Sequence, residues 1–132
     1  MSILWSKVHV WIGTNDDEDY DNYFELDDDN DLDIDDPNYK VCQFCKDINE
    51  KWYDEDWIGV YQNSELVDVR ILLEELSVDD GILSEIENIC HKKNIVRANA
   101  MFFYMNSDIV ISDKDKPYNK LTYLGMFDTN LA

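Results

Sequence analysis

A chain of 132 residues with 45% apolar and 13% aromatic content is long enough to bury a core without disulfides or metals, and is not disordered as a whole. Thirty acids against 11 bases leave a net charge of −19, which argues against nucleic acid or an anionic membrane as partner and leaves basic proteins and metal cations. No run approaches the roughly 20 apolar residues of a membrane span, the start from Met1 to Lys7 lacks signal-peptide features, and three cysteines suit a reducing compartment, so a cytoplasmic location is expected.

In chain order, Lys7 to Ile12 alternates β-branched and aromatic residues and stops at Gly13, which predicts a first strand. Thr14 or Asn15 then caps a predicted helix over 16–26, with acids in its first turn and Tyr20, Tyr23 and Phe24 on one apolar face. This helix opens an acidic segment over 16–36 that holds thirteen acids and not one Lys, Arg or His. Removing those thirteen leaves 17 acids and 11 bases elsewhere, a net charge of only −6. From Asp27 to Pro37 only Leu32 and Ile34 interrupt the polar run, which reads as an exposed loop or edge segment. Charge at this density gains little by burial, and two readings stand: a solvated insertion, or a docking surface for a basic protein.

Tyr39, Val41, Cys42, Phe44, Cys45 and Ile48 give a helical stripe from Pro37 to about Asn49. Trp52 to Trp57 follows, leading into a second strand, Trp57 to Tyr61, that ends at Asn63 and Ser64. Leu66 to Leu76 is compatible with helix, although Val67, Val69 and Ile71 alternate as in a strand. Ser77 to Asp80 resembles a capping box, and Ile82, Leu83, Ile86, Ile89 and Cys90 form the clearest helical face, ending near Asn94. A central buried strand is expected around Ala100 to Tyr104, a short strand or edge at Asp108 to Ile111, a turn over Lys114 to Asn119, and a last strand from Leu121 to Phe127. The expected fold is a single α+β domain over 1–132, with helices packed on a mixed sheet of four to five strands.

Chemical motifs are few. Cys42 and Cys45 have the CxxC spacing of redox or zinc sites, with Cys90 and His91 as conceivable further zinc ligands, but both cysteines also belong to an apolar helical stripe, and the strand that precedes a thioredoxin-like motif is missing. Asp27, Asp29, Asp31, Asp33 and Asp35 alternate as at the start of a calcium loop, yet no register supplies the Gly at the sixth place and the Glu at the twelfth. His9 and His91 accompany no recognisable nucleophile motif, and four scattered glycines form no phosphate cradle. No catalytic residue, resident metal or cofactor is assigned. Asp54, Glu55 and Asp56, between Trp52 and Trp57, form either an acid group or a polar loop closed by packed tryptophans.

Six stretches in order, Val8 to Gly13, Tyr20 to Leu26, Cys42 to Asp47, Trp52 to Trp57, Ala98 to Phe102 and Leu124 to Asp128, together resemble the immunity protein 22 family of bacterial polymorphic toxin systems. The resemblance implies a cytoplasmic antitoxin-like protein that binds and neutralises a cognate toxin. It carries over no binding residues. The acidity of the chain points separately to a basic partner, for which the candidate contact residues are Asp31, Asp33, Asp35, Asp36, Trp52, Tyr53, Asp54, Glu55 and Asp56. Of Trp52, Tyr53 and Trp57, at least one is expected in the core and at least one beside the acidic surface. The alternative from a different class is a small metal-dependent hydrolase using Asp54, Glu55 and Asp56.

Overall fold

A computed structural model describes residues 7–25, 41–50, 53–106 and 109–130. Within them the apolar run after Lys7 becomes strand β1 (Lys7–Gly13), buried at every position from Val8 to Ile12. A strand that needs apolar residues at every position is one covered on both faces. Strand β1 indeed lies inside a four-stranded sheet of order β2-β3-β1-β4, with β2 (Ile58–Asp68), β3 (Arg97–Tyr104) and β4 (Thr122–Asp128). All three pairings are antiparallel, so the α+β architecture stands but the sheet is not the mixed one expected.

The two faces of the sheet carry separate cores. On one face, Val8, Val10, Ile12 and Phe103 meet α2 (Val69–Leu73) and α3 (Asp80–Lys92) through Leu72, Leu73, Leu83 and Ile86. Each fully buried aliphatic side chain there contributes about 1.5–3 kcal/mol. On the other face, Trp11, Ala100, Phe102 and Tyr104 are covered by a 3₁₀ turn (Tyr20–Phe24), by α1 (Gln43–Asp47) and by the stretch from Ile109 to Leu121. Trp11 stacks on Phe102 at 4.6 Å between ring centroids, and Phe44 meets Trp11, Tyr53, Phe102 and Tyr104 edge-on.

Several boundaries differ from the sequence expectation. The predicted helix over 16–26 contracts to the five-residue 3₁₀ turn, because Tyr20, Tyr23 and Phe24 reach the core from a single turn and the acids around them gain nothing from a longer helix. Strand β2 does not end at Asn63 and Ser64: its register with β3 shifts between Gln62 and Val67, so those residues bulge out and the strand resumes. The alternation at Val67 thus belongs to the strand, and the helix begins only at Val69. The cap of α3 is Asp79 without a side-chain hydrogen bond, so no capping box forms from Ser77. Ile109 to Ile111 is irregular, not a strand. The expected loop from Asp27 to Pro37 lies outside the described residues.

Helices α1 and α3 end alike. Asn49 and Asn94 take φ of 61° and 63°, and the amides after them, Glu50 and Ile95, donate back to the carbonyls of Cys45 and Cys90. This closing bond uses an Asn where Gly is commoner.

Candidate partner-binding site

The chain leaves β1 at Gly13 and is gripped at once by amides from distant parts of the sequence. Asn15 is buried; its backbone N–H donates to Asn99 Oδ1 (2.8 Å), its Nδ2 donates to the Asn119 carbonyl (2.9 Å), and its Oδ1 accepts from the Asp17 N–H (2.8 Å). Asn99 Nδ2 donates to Asp16 Oδ1 (2.6 Å), and Gln62 Nε2 on β2 donates to the carbonyls of Asn15 (2.7 Å) and Asp17 (3.0 Å). Such a satisfied amide network fixes a segment whose charges would otherwise drive it apart. The sequence offered Asn15 only as a helix cap and did not single out Gln62, Asn99 or Asn119, because the bonds that join these four positions to distant segments span 45 to 104 residues. Lys120 adds an exposed ion pair to Asp17 (2.7 Å).

Beyond this clamp the 3₁₀ turn points Tyr20, Tyr23 and Phe24 inward and leaves Asp19, Asp21, Asn22 and Glu25 exposed. Tyr23 Oη donates to Asp47 Oδ2 (2.6 Å), tying the turn to α1; burial first, and that bond second, push the Tyr23 phenol well above its ordinary range. Tyr53, only 3% exposed, donates its hydroxyl to the Phe24 carbonyl. That bond joins the stretch of Asp54, Glu55 and Asp56 to the stretch of Asp21 and Glu25.

Between them runs a groove of about 370 Å³, lined by Asp21, Asn22, Phe24 and Glu25 on one side and by Tyr53, Ile58 and Val60 on the other. Its lining is largely apolar, and Asp21 and Glu25 are the acids on it. The Asp54 N–H donates to Tyr104 Oη (3.0 Å), while its half-buried carboxylate accepts the Asp56 N–H (3.0 Å) and caps the 3₁₀ turn Glu55–Trp57. Asp56 is exposed, and Trp57 is half-buried against both cores. Among the described residues no Lys or Arg forms an ion pair with Asp21, Glu25, Asp54 or Asp56. Of the other sequence-derived candidates, Asp31, Asp33, Asp35, Asp36 and Trp52 lie outside the described residues, as does the Glu55 side chain.

His9 is buried, with Nε2 against the Asn106 carbonyl (3.0 Å) and Nδ1 against Tyr123 Oη (2.8 Å). A carbonyl only accepts, so Nε2 carries the proton and Nδ1 receives the tyrosine hydroxyl. Burial lowers the His9 pKa to about 4, the Asn106 bond opposing it. Cys42 and Cys45 pack on one face of the sheet and Cys90 on the other, which separates the conceivable zinc ligands. Among the described residues no group of three or more His, Cys, Asp or Glu could hold a metal ion. No helix among them is long and apolar enough to cross a membrane.

Comparison with curated proteins and with solved structures gives no significant match. A family model described as Immunity protein 22 matches residues 8–130, nearly the whole chain, from the first residues of β1 to the end of β4, and the chain belongs to that family.

Proposed function

We propose that this protein is a non-enzymatic immunity protein that binds and neutralises a cognate bacterial toxin, docking a basic face of the toxin on the groove between the Tyr20–Phe24 turn and β2. One observation carries the reading: Asp21 and Glu25 border an apolar groove, the Tyr53 hydroxyl ties their stretch to the one that carries Asp54 and Asp56, and among the described residues no Lys or Arg forms an ion pair with these acids. Apolar floor with charged rim is the usual anatomy of a specific interface, with aromatic anchors at its centre. Tyr53, almost fully buried, supports the groove from within, and the proposal adds Trp52, Glu55, Asp31, Asp33, Asp35 and Asp36 as contact residues. A nuclease fits the partner's chemistry, because a face built for nucleic acid is positive. A larger cleft of about 500 Å³ beside β4 suits a basic partner less, since Lys93 and Lys114 border it with Asp115. The hydrolase alternative loses ground because Asp54 is already engaged as a cap.

The test is binding kinetics with the toxin domain encoded by the adjacent reading frame. Asp21→Asn with Glu25→Gln is expected to weaken binding by roughly tenfold or more, while the melting temperature holds, since both side chains are exposed. Unchanged affinity at every salt concentration would remove the groove from the interface.

A further inference from the structure

The CxxC pair has a geometry that packing alone does not require. Cys42 is the N-cap residue of α1, and its Sγ accepts the Cys45 N–H (3.4 Å). The two sulfurs lie 3.2 Å apart, joined by a thiol hydrogen bond. Closing that gap to the roughly 2.05 Å of a disulfide moves them by only about 1.1 Å. All three cysteines are buried, Cys42 least, at 9% exposed, and Cys45 fully. Cys90 lies across the sheet and has no part in the pair.

We propose that Cys42 and Cys45 form a thiol–disulfide exchange couple, Cys42 the attacking thiol and Cys45 the resolving one, with a low-molecular-weight disulfide as the oxidant. The Cys42 thiolate attacks one sulfur of the oxidant, the oxidant's S–S bond breaks, and one thiolate leaves. Cys45 then gives its proton to the departed thiolate, its own thiolate attacks Cys42 Sγ, and the second thiolate leaves as the intrachain bond closes and takes up the other proton from solvent. Two cysteines lose two electrons and two protons, and the oxidant becomes two thiols. Electrostatics agrees with this order. The hydrogen bond with Cys45 is the largest influence on Cys42 and holds it at about 7 against the opposing effect of burial, whereas the same bond and burial push Cys45 far up. Burial raises Cys90 to about 12.

The full-length folded chain, incubated in oxidised and reduced glutathione mixtures, acid-quenched, then unfolded in denaturant and labelled with a maleimide, reads the couple by intact mass. The expected product has lost two hydrogens and labels once, at Cys90. In Cys45→Ser a glutathione mixed disulfide should accumulate on Cys42, while Cys42→Ser leaves Cys45 unmodified. Iodoacetamide at pH 7 should modify Cys42 roughly tenfold or more faster than Cys90. Three thiols still labelling on folded wild-type protein in excess oxidised glutathione would overturn the couple. Modification of Cys45 or Cys90 as fast as Cys42 would do the same. Should a serine variant fail to fold, the wild-type mass alone decides.

Discussion

At the scale of single residues, His9 is the group whose protonation the fold opposes most clearly. Its folded pKa, lowered to about 4 by burial, lies below the ordinary 6.5, so between those values the unfolded chain binds more protons than the folded one. The His9 contribution is therefore complete above about pH 6.5 and is lost as pH falls toward 4; by pH 5 about 2 kcal/mol is gone. Tyr123, held up near 12 by burial, stays a hydrogen-bond donor throughout that range. Denaturant unfolding at pH 7.5 and pH 5 checks this, with His9→Gln expected to lose most of the difference between the two pH values. Equal stability losses in wild type and variant would place the acid sensitivity elsewhere. His9 could be placed in a strand from the alternation around it, but its burial between Tyr123 and Asn106 could not, because both partners are about a hundred residues distant.

Among the elements, β1, α3, β3 and β4 were legible because each is dominated by one periodicity, and the Asn94 stop of α3 is a local signal. What stayed hidden depends on contacts between elements. Asn63 and Ser64 carry an ordinary turn signal, yet pairing of Val67 with Ala98 beyond them turns a stop into a bulge. The acids of 16–25 look helical by their dipole preference, but the clamp from Asn99, Asn119 and Gln62 settles their path instead. The groove was half legible: the acid runs and Tyr53 were visible as residue types, whereas the junction of the two runs at the Phe24 carbonyl was not. Gly59 marks how closely β2 and β3 approach beside that groove. A Cβ there would stand 2.3 Å from the Phe103 ring, which is itself buried and stacked with Tyr61. Gly59→Ala is expected to cost about 1–3 kcal/mol by overpacking, read as a lowered denaturant midpoint. Pairing the substitution with Phe103→Leu should recover part of the loss, and no recovery would mean the strain lies in the backbone.

For the whole molecule, charge distribution matters more than net charge. The segment over 16–36 contributes −13 of the −19, concentrated at one end of the sequence, and its start at Asp16 and Asp17 is held by Asn99 and by Gln62 of β2. A basic toxin approaching from solvent would meet that field before any contact forms, so the field should act on the association rate, and the desolvated groove residues on dissociation. Changing Asp31, Asp33, Asp35 and Asp36 together to Asn removes four charges from the approach field. The association rate is expected to fall by on the order of tenfold at low salt, with the loss shrinking as the Debye length drops toward about 8 Å at physiological ionic strength. Changing Asp54 instead should speed dissociation, by roughly 2 kcal/mol or more where its carboxylate is paired and desolvated in the complex. Thermal stability should be unchanged or slightly raised in the four-Asn variant, because crowded like charges are relieved. Stopped-flow association and dissociation across a salt series separate the two roles. An association rate indifferent to the four substitutions at every ionic strength would leave the acidic segment as a solvated insertion and confine recognition to the groove.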